Sequence, residues 1–249
     1  MNGSIIVLLD KPKQFKTGML INVARGYLKM KKKVLYIDLE NGEDEIQIRL
    51  EQSVAKRTKK EILSGDFDEK TQKTLRKYKR LGAELVVKRF PAFATNAHHI
   101  QVYMDFLYRE YGIRFDELII DYAALLGATS GKIDDNDRIS DVYVELANLA
   151  SNPSNNIEHI WTAHHIKRDA HKREESCYEG NDIAKCIDIV RHSQAIFGLN
   201  RNDDDLANDV FRMEVVEQRD GKPFGRALFH MDIDRQFAKE FTPSQRRKH

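Results

Sequence analysis

Several short segments of this sequence have residue types and spacing suited to phosphate chemistry. The first is Asp10-Lys11-Pro12-Lys13-Gln14-Phe15-Lys16-Thr17-Gly18, which follows the apolar run Ile5-Ile6-Val7-Leu8-Leu9. A polar turn ending in Lys-Thr can wrap phosphate oxygens with backbone N–H groups. The ammonium then meets the outer phosphates and the hydroxyl meets a divalent cation. Lys13, Gln14, Phe15, Lys16, Thr17 and Gly18 are therefore the candidate nucleotide contacts. Asp10 and Phe15 occupy the two positions where such a loop usually carries glycine, the residue that most easily lets backbone approach phosphate. Asp121 closes the buried-type run Leu118-Ile119-Ile120, where a carboxylate can order a metal's water shell. Glu40, in Asp38-Leu39-Glu40-Asn41, is a second carboxylate, able to orient and deprotonate water. His165, beyond a strand ending at Ala163, can touch a terminal phosphate and report its loss to the loop that follows.

Each of these has an ordinary reading when taken alone. A Lys-Thr after a strand is often a polar turn, a strand-end carboxylate often caps the next turn, and His164-His165 could be a surface pair. It is their order along the chain that favours chemistry. Cys177 and Cys186 lie near His164, His165, His171 and His192, but the spacings fit no common zinc module.

The elements that must position these residues follow a strand-then-helix rhythm. Met19 to Tyr27 carries Leu20, Val23, Ala24 and Tyr27 on one helical face. Val34 to Leu39 and Glu117 to Tyr122 read as doubly covered parallel strands, and Glu43 to Val54 as a helix. Residues 55–82 are charged and helical, with Ile62, Leu75, Tyr78 and Leu81 as anchors. Glu84 to Val87 is a weaker strand, His98 to Tyr111 an amphipathic helix, Ile139 to Leu149 a helix and Ile157 to Ala163 a strand. Ala195 to Leu199, Val210 to Val216 and Ala227 to Met231 are strands, the last two forming an antiparallel hairpin around Asp220-Gly221. The expectation is an α/β fold, with a mostly parallel central sheet flanked by helices and a late hairpin. Ligands in such sheets bind at the carboxyl ends of the strands, and every motif above is expected there.

Bulk properties fit one large domain. The chain has 249 residues, with 5 prolines and 13 glycines and no Ser/Gly-rich linker tract. A net charge of +2 gives no global polyanion signature. Basic residues do cluster, at 56–60, 70–80, 167–173 and 246–248, and such runs are commonly solvated helix faces. The apolar runs are too short to cross a bilayer and no signal-peptide layout opens the chain, so a soluble, intracellular (cytoplasmic) protein is expected.

The sequence resembles the motor domain of replicative hexameric helicases, the DnaB-like group with a RecA-like fold, and their bacteriophage relatives. Val34-Leu35-Tyr36-Ile37-Asp38-Leu39-Glu40-Asn41, followed by Arg49-Leu50, is similar to the family segment that carries its catalytic carboxylate. Ile119-Ile120-Asp121-Tyr122-Ala123-Ala124-Leu125 is similar to its Mg²⁺ segment. Glu145 to Ala150, then Ile160 to His165, resembles its helix and sensor strand, with His165 where a Gln is usual. Val216-Glu217-Gln218-Arg219-Asp220-Gly221 resembles the segment whose arginine reaches a neighbouring subunit.

The resemblance implies a single RecA-like ATPase domain over residues 1–249, without the amino-terminal primase-interacting domain or linker helix. It implies ATP and Mg²⁺ as cofactors, with Thr17 and Asp121 at the metal and Glu40, Arg219 and His165 catalytic. The implied partners are single-stranded DNA, further copies in a hexameric ring, and a primase or loader. DNA would be held by Lys132 in the loop after Gly127, and by Lys167, Arg168, Lys172 and Arg173. Asp10, Phe15, Asp38, His165 and Glu217 depart from the family pattern. Alternatives on the same fold are a hydrolysis-impaired DNA-binding or scaffold subunit and a recombinase-like strand-binding ATPase.

Overall fold

A computed structural model of the chain describes residues 3–11, 15–64, 69–130, 134–166, 188–221 and 225–242. Its frame is one nine-stranded sheet. Strand β1 (Ser4–Asp10) leads to helix α1 (Lys16–Lys29), then β2 (Lys33–Asp38), α2 (Glu43–Ala55), α3 (Lys59–Leu63), α4 (Glu69–Arg80) and β3 (Glu84–Arg89). Next come α5 (Ala97–Tyr111), β4 (Glu117–Asp121), α6 (Asp135–Ser151) and β5 (His159–His165). The remainder is α7 (Asp188–His192), β6 (Ser193–Asn200), α8 (Asp203–Ala207), β7 (Val210–Gln218), β8 (Arg226–Asp232) and β9 (Phe237–Glu240). The sheet order is β3-β2-β4-β5-β1-β6-β7-β8-β9. Pairing is parallel from β3 to β6 and antiparallel from β6 to β9.

The apolar runs of β1, β2 and β4 are buried because both faces of the sheet are covered, which removes the reason for polar alternation. Alternation survives in which face each side chain packs against. Val7, Leu9, Leu35, Ile37, Leu118 and Ile120 join Ile100, Met104 and Leu107 of α5 and Val142 and Leu146 of α6. Leu8, Val34, Tyr36 and Ile119 join Leu20, Ala24 and Leu28 of α1 and Ile46 and Leu50 of α2. Counting on by twos places Asp10, Asp38, Asp121 and His165 at strand ends on the α1 face. Register then aligns Asp38 with Asp121, and Asp10 with His165.

Several elements differ from the sequence expectation. Helix α1 begins at Lys16, not Met19, so Lys16 and Thr17 lie in its first turn. Strand β2 ends at Asp38 and leaves Glu40 in the following turn, whereas β5 runs on to include His165. The expected hairpin is present as β7–β8, but β6–β7 is antiparallel as well, and β9 adds a strand that the sequence did not suggest. Strand β9 owes its place to α1. Asn22 Nδ2 donates to Gln236 O at 2.9 Å, Ala238 N–H donates to Asn22 Oδ1 at 2.8 Å, and Arg25 Nη2 donates to Ala238 O at 2.9 Å.

Candidate functional site

Helix α1 opens toward the carboxyl edge of the sheet. Its N-cap, Phe15, is left-handed (φ 78°) and offers no side-chain cap, and its first turn carries no acidic residue. The first N–H groups of such a helix, with the positive end of its dipole, favour an anion. Phe15 thus adopts at its loop position the backbone conformation that glycine takes most readily, and its ring folds over Gly18. A Cβ on Gly18 would lie 2.2 Å from Phe15 Cε2. The missing loop glycine is therefore matched by a glycine three residues later, a pairing that spacing alone did not reveal.

Lys16 is 8% exposed. Its ammonium donates to Lys11 O at 2.6 Å and lies 3.5 Å from Asp10 O. Burial lowers its pKa, opposed by the negative charges of Asp10, Asp121 and Glu40 in that order. Lys16 and both sequence-predicted carboxylates therefore share one electrostatic neighbourhood. Asp121 is buried and accepts a hydrogen bond from Tyr36 Oη–H at 2.9 Å, with the Thr17 hydroxyl close enough to act on it. Burial raises it to about 6, with Asp38 and Glu40 adding to the rise and the two hydroxyls opposing it. Glu40 is exposed beside this pair, and its charge also acts on Tyr122.

Three residues outside the predicted set, Tyr36, Asp38 and Thr162, build this arrangement. Tyr36 is fully buried, and its phenol is pushed further up by desolvation and by Asp121. A hydroxyl two residues before an acid in an otherwise aliphatic strand was the available signal. Asp38 is also buried and accepts from Asn41 N–H at 3.0 Å and Asn41 Nδ2 at 3.1 Å. With Leu39 N–H donating to Asp121 O at 3.0 Å, this fixes the turn that presents Glu40. Thr162 does the same for the turn after Asp121. Its Oγ1 donates to Ile120 O at 2.9 Å and accepts from Ala123 N–H at 2.8 Å. His165 meets the ring of Tyr122 edge-on, with centroids 5.3 Å apart, at the same edge.

Arg219 is not at this edge. Its N–H donates to Gln194 O at 2.9 Å and its Nη2 donates to Arg191 O at 2.7 Å, where β6 begins. Because β7 runs antiparallel, its last residues return to the amino edge, roughly 20 Å of strand away from Lys16. Glu217 lies near that end of β7, opposite Ile196. Lys13, Gln14, Lys132, Lys167, Arg168, Lys172 and Arg173 lie outside the described residues, as do Cys177 and Cys186.

The donor set fits a phosphate-bearing ligand with a hard divalent cation. Thr17 and Asp121 offer oxygen atoms only, which suits such a cation, beside a buried ammonium and a helix N-terminus without a side-chain cap. Parallel strands with helices on both faces, and a phosphate loop at the carboxyl edge, define a RecA-like nucleotide hydrolase fold.

The family model for the DnaB-like helicase C-terminal domain matches residues 1–238. The chain belongs to that family, the ATP-hydrolysing motor domain of replicative DNA helicases, whose ATPases use nucleotide with metal. Among solved structures, the isolated ATPase domain of a DnaB-like helicase is similar over 97% of this chain and 86% of that one, with a TM-score of 0.77 and 17% identity. A DnaB-like replicative helicase, described with its interactions with primase, is similar over 95% of this chain, with a TM-score of 0.75 and 17% identity. This chain spans 58% of that helicase. No curated protein matches the sequence. No helix among the described residues is long and apolar enough to cross a membrane.

Proposed function

We propose that residues 1–249 form one RecA-like motor unit that binds ATP and Mg²⁺ at the α1 edge and couples hydrolysis to movement along single-stranded DNA. The observation that carries this reading is the shared electrostatic neighbourhood of Lys16, Asp121 and Glu40, with the Thr17 hydroxyl beside Asp121. Mg²⁺, when bound, would polarise the phosphoryl oxygens. Thr17 and Asp121 would hold it. Lys16 neutralises the outer phosphates, and the α1 N–H groups orient them. Glu40 accepts a proton from the attacking water. His165 senses the terminal phosphate and passes its loss to the basic loop carrying Lys167, Arg168, Lys172 and Arg173.

Arg219, on the opposite edge of its own chain, would complete the site of a neighbouring copy in a ring. A finger supplied in trans is worth on the order of 10³ or more in rate. The strand would be held sequence-independently through phosphates, by that basic loop and by Lys132. A primase or loader would act on the assembled ring, in the cytoplasm of a bacterial or phage-infected cell.

The test is ATP hydrolysis by the purified chain with and without single-stranded DNA, beside Lys16→Ala. DNA-stimulated turnover that disappears in the variant is the expected result. Equal background rates in both proteins would instead support a scaffold subunit that does not hydrolyse ATP.

A further inference from the structure

The chemistry above leaves one buried acid of the phosphate loop unused. Asp10, the last residue of β1, is 2% exposed and stands on the α1 face. Its Oδ1 accepts Lys11 N–H at 2.6 Å, and its carbonyl oxygen lies 3.5 Å from Lys16 Nζ. Phe15, Leu199, Asn200, Arg201, Phe211 and Met231 close around it, leaving about 10 Å³ of free space. That is room for about one water molecule, not for a hydration shell. The charged and titratable groups facing it are Lys11 on the loop, Lys16 on α1, Arg201 beyond β6, and His165 beside it on β5. Strands β7 and β8 contribute only the uncharged Phe211 and Met231.

Desolvation pushes the Asp10 carboxyl well above the usual range, and Lys16 is the strongest cation opposing that rise. Reciprocally, Asp10 is the largest of the negative charges acting on Lys16, ahead of Asp121 and Glu40. The ammonium's direct partners are neutral carbonyls. Its charge is thus balanced at slightly longer range, first by Asp10. A metal held at Asp121 would take up that residue's charge but would leave Asp10 where it is. Glycine, the residue usual at this loop position, brings no such charge.

We propose that the Asp10 carboxylate is a resident counter-anion of the phosphate loop, drawing on the charge of Lys16 and Arg201 and so weakening any phosphate ligand that uses them. This rests on the loop being the nucleotide site. Phosphates arriving at the same cations meet a like charge in a poorly solvated setting, where repulsion is screened far less than in water. Two consequences follow: nucleotide affinity is held low, and binding draws a proton onto Asp10.

Isothermal titration of the full chain with MgADP tests this, comparing wild type, Asp10→Asn, Asp10→Gly and Lys16→Ala at pH 8.5 and pH 6. Asparagine keeps the shape and the Lys11 N–H acceptor while removing the charge. Asp10→Asn is expected to bind roughly tenfold more tightly at pH 8.5, the scale of one pKa unit of charge interaction. The gap should narrow at pH 6. Repeating the titration in buffers of different ionisation heat should show proton uptake by wild type that the variant lacks. If Asp10→Asn fails to fold, Asp10→Gly is expected to give the same gain.

One outcome overturns this inference and leaves the nucleotide site standing: wild type binds, Lys16→Ala does not, and neither Asp10 variant binds more tightly than wild type at pH 8.5. Absence of MgADP binding by wild type and all variants overturns the nucleotide reading, and this inference with it.

Discussion

Strand β4 carries a buried carboxylate at each end, and the two are held in opposite ways. Glu117 at its start and Asp121 at its finish are both raised by desolvation. Glu117 meets His159 Nδ1 at 3.1 and 3.2 Å, so the largest effect opposing its burial is a partner that becomes a cation. Tyr27 completes that cluster, with its hydroxyl 3.3 Å from His159 Nδ1 and receiving Trp161 Nε1–H at 3.0 Å. Glu158 beside it is bonded to Lys32. Glu117, Glu158 and His159 lie close enough to hold a metal, but their charges already have partners. Asp121 has the neutral hydroxyls of Tyr36 and Thr17 beside it and the anions Asp38 and Glu40 as neighbours. A carboxylate paired with its own cation serves the fold, whereas one set among like charges is arranged for a cation from outside.

The largest expected effect separates the two ends directly. Asp121→Asn should lower turnover by on the order of 10² or more, on the scale of losing a positioned catalytic group. The same change should raise the melting temperature of the nucleotide-free chain at pH 8. Folding lifts the Asp121 pKa from 3.8 to about 6, so the folded state binds that proton more tightly than the unfolded one. Stability from this group is complete below about pH 3.8 and is lost as pH rises through about 6. Removing the charge recovers about 3 kcal/mol. A variant that melts lower than wild type at pH 8 would place Asp121 in the same structural role as Glu117.

At the other end, His159→Ala should cost about 1–3 kcal/mol by leaving a buried carboxylate short of a partner, with turnover intact at temperatures where the chain stays folded. His159 is raised by Glu117. Its contribution is therefore complete below its ordinary pKa of about 6.5 and fades as pH rises through the higher folded value. Denaturant melts across pH 5.5 to 8.5 should show the deficit shrinking with pH. A deficit that grows with pH would mean that the imidazole is neutral in the folded chain.

The smallest effect concerns the loop itself. Gly18→Ala puts a methyl group against the Phe15 ring, which can shift, and should destabilise by about 1 kcal/mol. Phe15→Gly in the same chain should relieve it, and additive costs in thermal melts would break the proposed pairing of the two positions.

Much of the carboxyl edge is legible in the sequence. A buried strand must end in something polar, and Lys16, Asp121 and His165 were found from that rule and from their order. Period-two counting also puts Asp10, Asp38 and Tyr36 on the same face as Asp121. Strand direction was the part that spacing left out. A linear pattern does not say that β7 runs antiparallel to β6 and so carries Arg219 back toward the amino side.

Composition and spacing by themselves determined the α/β alternation, the parallel core and the residues able to handle phosphate, because burial on both faces writes itself into apolar runs. Tertiary structure alone decided which charges share a neighbourhood. It brought β2 beside β4 in a register that sets Asp38 against Asp121, and it set Asp10 next to Lys16 beneath Phe15. It also held the short β9 through Asn22 and Arg25. Those outcomes depend on pairing between distant segments, where the strength of each interaction is set by burial and distance, neither of which a one-dimensional pattern contains.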